Sequence, residues 1–181
     1  MVRSIAAIVA VALSQVVTTR VPRIDTKGPE PVLVLPDAMA QALKTFDPDF
    51  KPRRFADYPS WIRQDKAKLS AVQAPFAVVG DFNGDKVLDV VIDGDDRVSG
   101  RRLVILSSGA AFQVTEVDKE RRTPGEVRVG LTLVRPGVVR SPHESKPLRL
   151  QTDAFEVDYY ETSAKVVYLT GGTWHEYWTS D

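Results

Sequence analysis

Oxygen-bearing side chains recur at every second position in Asp81-Phe82-Asn83-Gly84-Asp85, and another follows at Asp89. Counted from Asp81 they stand at places 1, 3, 5 and 9, and Val87 at place 7 can add its backbone carbonyl. A hard cation such as Ca²⁺ takes about six to eight oxygen ligands, and alternate residues of a curled loop can aim theirs at one centre. The competing reading is a plain acidic turn, since Asn and Gly tolerate positive φ and mark hairpins. Asp89 favours the cation, because a simple hairpin requires no carboxylate at the start of its second strand. An EF-hand is set aside, because its sixth and last loop places want Gly and Glu, where this chain has Lys86 and Ile92.

With the apolar pair Val90-Val91 behind it, the stretch resembles the calcium loop of FG-GAP and VCBS repeats. That family writes Asp-x-Asp/Asn-x-Asp-Gly-x-x-Asp between two strands of a hairpin. The resemblance implies one Ca²⁺ held by the side chains of Asp81, Asn83, Asp85 and Asp89 and the carbonyl of Val87. The motif occurs once, and Lys86 stands where the family has Gly. If that place needs positive φ, a side chain there costs about 1–2 kcal/mol. The whole layout is similar to small exported bacterial FG-GAP-type proteins of unassigned role.

Two elements must hold the loop. Phe76–Gly80 precedes it and Val90–Ile92 follows, both apolar and β-branched, which predicts a hairpin with the loop at its tip. Upstream, Met39, Ala42, Leu43 and Phe46 repeat at helical spacing after Asp37, and Asp47-Pro48 ends that helix. A second helix is predicted over 57–69, capped by Asp57 or Ser60. Downstream, Asp93-Gly94-Asp95-Asp96-Arg97 reads as a second acidic turn. Strands are expected over 102–106, 111–117 and 126–134, with a charged loop at 119–125. Residues 135–147 contain Pro136, Pro142 and Pro147 and read as a long irregular connection. Further strands follow at 148–150, 154–160, 165–169 and 173–178, the last pair joined by Gly171-Gly172.

Composition bounds the rest. In 181 residues, 43% are hydrophobic and 27% charged, which suits one globular domain with a sizeable core. Lys+Arg and Asp+Glu are both 24, so there is no basic surplus of the kind broad nucleic-acid binding shows. With no cysteine, disulfides, zinc thiolates, iron–sulfur clusters and cysteine nucleophiles are excluded. Arg3 followed by Ile5–Leu13, then Ala12-x-Ser14, reads as a short secretory signal over 1–19, too short for a membrane span. That expectation places the mature chain in the periplasm or outside the cell, with no stable membrane span once the signal is removed. Extracellular Ca²⁺ modules are correspondingly weak binders.

The sequence therefore predicts an α+β fold, with two N-terminal helices on one face of a largely antiparallel, meandering sheet of seven to nine strands. Residues 20–35 form an extended arm and 36–181 a single domain. The expected function is an exported, non-enzymatic calcium-binding module serving a protein or glycan partner. Tyr159, Tyr160, Tyr168, Trp174, Tyr177 and Trp178 either pack as core or present a stacking surface to that partner. The alternatives are a metal-dependent hydrolase using the acidic loop, and an inhibitor or adaptor of another exported protein. No catalytic residue is nominated: His143 and His175 lie far apart in sequence and belong to no recognisable constellation.

Overall fold

The computed structural model describes residues 21–65, 69–96, 98–109, 111–121, 127–160 and 162–180. The signal expected over 1–19 lies outside the described residues. In chain order the elements are β1 (Arg23–Asp25), β2 (Val32–Val34), α1 (Asp37–Phe46), β3 (Lys51–Pro52), a 3-10 turn (Phe55–Asp57), α2 (Ser60–Gln64), β4 (Gln73–Ala74), β5 (Ala77–Gly80), β6 (Asp89–Asp95), β7 (Ser99–Ser108), β8 (Ala111–Arg121), β9 (Val129–Val134), β10 (Gly137–Val139), β11 (Leu148–Leu150), β12 (Ala154–Tyr159), β13 (Ser163–Thr170) and β14 (Thr173–Ser180).

The α+β expectation is corrected: 51% of the structure is strand and 12% helix, and two helices packed on a sheet are not what forms. The second predicted helix starts late for a local reason. Tyr58 turns inward and its hydroxyl lies 2.8 Å from an Asp93 carboxylate oxygen and 3.0 Å from the carbonyl of Pro75. Burying that ring redirects the chain, so 55–57 forms a 3-10 turn and the described α-helix is Ser60–Gln64; residues 66–68 of the predicted helix lie outside the described residues. Ile62 is then buried while Trp61 stays half-exposed, so the expected one-sided pattern is already split at its first two residues.

Two sheets carry the architecture. One runs β4-β5-β6-β7-β8, with β3 added beside β6; the other runs β14-β13-β12-β9. All pairings are antiparallel. The strict alternation of the central strands sorts their side chains. Ala77, Val79, Val90, Ile92, Leu103 and Ile105 face a core closed by Ile24, Met39, Leu43, Phe55 and Tyr58. Val78, Val91 and Val104 face the opposite way and meet Val129, Leu131, Phe155, Val157 and Val167 of the second sheet. The strands around the loop are thus buried on both sides, which explains why they read as continuous apolar runs.

Three expected irregular segments are ordered. The arm at 20–35 folds on itself as β1 and β2, with Ile24 buried and its N–H donating to the carbonyl of Ala71 at 2.8 Å. Asp93-Gly94-Asp95 is the end of β6, not a turn, because Asp93 pairs in register with Arg102 and Gly94 admits Phe50. A Cβ at Gly94 would lie 2.3 Å from the Phe50 ring. Within 135–147, Gly137–Val139 pairs with Leu148–Leu150 and covers Leu150, Ala154 and Val166 on the outer face of the second sheet. Among the described residues no helix is long and apolar enough to cross a membrane.

Candidate metal centre

The loop at 81–89 does sit between paired strands, β5 and β6, with Gly80 opposite Asp89. Its own side chains fold it. Asp81 accepts the N–H of Gly84 at 2.7 Å on one oxygen and that of Lys86 at 3.0 Å on the other. Asn83 Oδ1 accepts the N–H of Asp85 at 3.0 Å, and Asp85 accepts that of Val87 at 2.8 Å. These short-range bonds are what Asx side chains offer a backbone that has left the ladder. Gly84 has φ 80° and Lys86 φ 67°, so the place that the family fills with Gly is left-handed here and Lys86 bears the strain.

The loop is also clamped from outside, by residues that carry no motif. Ser107 Oγ donates to Asp85 at 2.5 Å, and Asn83 Nδ2 donates to the Ser107 carbonyl at 2.9 Å. Thr152 Oγ1 donates to the carbonyl of Phe82 at 3.1 Å, and Asp153 accepts the N–H of Asp81 at 3.0 Å. Phe82 is fully buried between the sheets, edge-on to Phe155 at 5.7 Å. The loop therefore ties β7 on one side to the start of β12 on the other. Only the Ser107-Ser108-Gly109 turn gave any sequence signal for this support.

The five expected ligands divide. Asp81, Asn83 and Asp85 share the solvent side of the curl, and Val87 is half-exposed beside them. Asp89 is fully buried, and its two oxygens accept the N–H groups of Phe82 at 2.9 Å and Ser107 at 2.8 Å. Burial pushes the Asp89 carboxyl up to about 6 against those two bonds, whereas the Ser107 hydroxyl and the Val87 N–H hold Asp85 below the usual carboxylate range. Among the described residues no three or more His, Asp or Glu side chains are already arranged around one point. The donor set suits Ca²⁺ in kind, since it is all oxygen. An ionised carboxylate has about four lone-pair directions, so accepting one N–H per oxygen leaves capacity for an ion. Asp89, engaged on both oxygens and enclosed, fits the centre least.

The two histidines are placed apart from the loop contacts described above. His175 stacks on Tyr168 with centroids 5.5 Å apart, and the N–H of His143 donates to Ser141 Oγ in an exposed stretch. The C-terminal aromatics are distributed through packing. Trp174 leans edge-on against Phe155, Tyr177 is buried with its hydroxyl donating to the Lys146 carbonyl, and Trp178 stacks on Tyr159 at the rim.

A second polar cluster was not anticipated. Asp93, Arg102 and Asp118 are matched across β6, β7 and β8, and Arg102 is fully buried. Arg102 bonds Asp118, and Asp118 also accepts Lys165 Nζ at 3.0 Å and the Tyr159 hydroxyl at 2.9 Å. Burial opposes ionisation of Asp118, but Arg102 and Lys165 hold its carboxyl below the ordinary range. Lys165 completes the link to β14 through Glu176 at 2.6 Å.

Comparison with known protein families, curated proteins and solved structures finds no match to this chain.

Proposed function

We propose that this chain is an exported, non-enzymatic module in which the 81–89 loop takes one Ca²⁺ and stiffens the junction of the two sheets. Asp81, Asn83 and Asp85 supply side-chain oxygens, Val87 its carbonyl, and Asp89 braces the loop from below. The observation that supports this is the self-folded curl. Every oxygen ligand at places 1, 3 and 5 already bonds the backbone of its own loop, with left-handed Gly84 among them and left-handed Lys86 directly after. The ion then meets a formed backbone and has mainly to draw side chains together. The C-terminal strands serve the protein or glycan contact.

Thermal unfolding of the full chain in EDTA and in about 10 mM Ca²⁺ tests the reading. A weak extracellular-type site has a Kd of about 0.1–1 mM. That concentration then adds about 1.4–2.7 kcal/mol, or roughly 3–10 °C in a domain of this size. Asp85→Ala should abolish the shift, and Mg²⁺ should give a smaller one. Equal midpoints in EDTA and Ca²⁺ would leave the loop a plain acidic turn.

A further inference from the structure

Asn83 is the chain's one asparagine, and Gly84 follows it. An asparagine loses its side-chain nitrogen when the backbone nitrogen of the next residue attacks its Cγ. Glycine obstructs that approach least, because it has no Cβ. Here the bond from Gly84 N to Asn83 Cγ would form, the Cγ–Nδ2 bond would break, and ammonia would leave with the Gly84 proton. Water then opens the cyclic imide. Cleavage at Cγ gives aspartate. Cleavage at the Asn83 backbone carbonyl carbon gives isoaspartate, with the main chain rerouted through the side chain. Water is the one co-reactant.

The folded loop engages both reacting groups. The Gly84 N–H donates to Asp81 Oδ1 at 2.7 Å, and attack requires that this proton be given up. The nitrogen anion that attacks would form beside the Asp81 carboxylate, and a neighbouring like charge disfavours it. Asn83 Oδ1 accepts the N–H of Asp85 at 3.0 Å, which turns Nδ2 toward β7. Nδ2 donates to the Ser107 carbonyl at 2.9 Å and to Asp85 Oδ2 at 3.2 Å. The carboxamide is therefore free to turn on Gly84 only when the loop opens. Gly84 itself is exposed, so the protection is one of geometry and charge and not of excluded water.

We propose that Asn83-Gly84 is a deamidation site that the native loop keeps closed, and that its aspartate or isoaspartate product releases the loop from β7. The amide nitrogen now bridges Asp85 and the Ser107 carbonyl. The product has no hydrogen to give that carbonyl, and it sets a second carboxylate against Asp85. Isoaspartate also lengthens the main chain within the curl. Reaction thus follows opening, and each conversion makes the loop easier to open, so the site records how often the loop has been open. The chemistry is independent of Ca²⁺.

Mass spectrometry of the full chain, aged in EDTA at mildly alkaline pH with and without unfolding urea, tests it. Peptide mapping follows the mass gain of –OH over –NH₂ at Asn83 and separates aspartate from isoaspartate. The folded chain should react at least about tenfold more slowly than the unfolded one, because the loop's bonds must open first. Asp81→Ser takes the carboxylate from the Gly84 N–H, so the folded rate should rise at least about fivefold, while in urea it stays close to the parent's. Asn83→Asp, the aspartate product made directly, should lower the unfolding midpoint in EDTA by about 3–8 °C. A folded chain that reacts as fast as the unfolded one, a folded Asp81→Ser protein no faster than the parent, or an Asn83→Asp midpoint equal to the parent's would each overturn the proposal. All three are read in EDTA, so an absent response to Ca²⁺ would sink the calcium reading and leave this one standing.

Discussion

The two ends of β6 and β7 satisfy their carboxylates in opposite ways. At one end Asp81, Asp85 and Asp89 are held almost wholly by backbone N–H groups and the Ser107 hydroxyl. Among the described residues the cation paired there is Arg135, largely exposed, on Asp153 at 2.9 Å. At the other end Asp93, Asp118 and Glu120 face Arg102, and Asp118 faces Lys165 as well. Hydrogen bonds from neutral N–H groups hold a carboxylate in place without cancelling its charge. Cations do both. The loop end therefore keeps a negative charge that an added ion can offset, and the network end has already supplied its own. That contrast is why Ca²⁺ is proposed at the loop and not at the larger acidic cluster.

The comparison breaks most visibly at Arg102. Arg102→Met removes the fully buried cation that faces Asp118, Asp93 and Glu120, leaving Lys165 and Tyr159 on Asp118 and Tyr58 on Asp93. Losing one partner of a buried ionic group costs about 3–5 kcal/mol. The expected outcome in urea unfolding is a fall of that size, partly restored by adding Asp118→Leu. A loss under about 1 kcal/mol would mean that the network contributes little and that its charges relax to solvent.

A smaller effect sharpens the loop end. Asp89→Asn turns an amide NH₂ toward one of two buried N–H donors, at a cost of about 1–3 kcal/mol at pH 7. The pH dependence follows from the raised carboxyl. Unfolded, Asp89 titrates near 3.8; folded, at about 6. Between those values the folded state holds the extra proton, so Asp89 favours folding below about pH 4 and loses that contribution as pH rises through 6. The Asn variant should flatten stability over pH 4–6. Saturating Ca²⁺ that also flattens the parent's profile would make Asp89 a ligand; an unchanged profile would keep it a brace.

Much of this was legible where the signal is local. The apolar runs flanking the loop, the alternation over Val129–Val134 and the Gly171-Gly172 turn all became strands or a hairpin. The loop itself was legible because alternate Asx residues around a glycine bond their own backbone. What escaped depends on distant partners. Asp93 and Asp95 look like turn residues until Arg102 and Arg53 stand opposite them. Ser107 braces the loop from β7 and Thr152 and Asp153 from the connection before β12, and beyond the Ser107-Ser108-Gly109 turn nothing in their neighbourhoods announces it. The second helix starts late, at Ser60, because burying Tyr58 outweighed a weak helical propensity at its predicted N-terminus.

The smallest expected effect tests the loop on its own terms. Lys86 is the one non-glycine residue with positive φ among the described residues, at 67°. Lys86→Gly removes the left-handed penalty, about 1–2 kcal/mol, but enlarges the unfolded ensemble, which returns part of it. The net gain should be about 0.5–1 kcal/mol in EDTA. The variant also removes an ammonium from beside the acidic curl, so Ca²⁺ should bind more tightly, several-fold by titration calorimetry. Arg102→Met, at the far end of the same strands, should leave the Ca²⁺ affinity of the folded protein unchanged. A tighter ion in the Gly variant and an unaltered one in the Met variant would separate the two ends energetically. Equal responses to both substitutions would mean that the ends are coupled through β6 and β7, and that the loop is not an independent site.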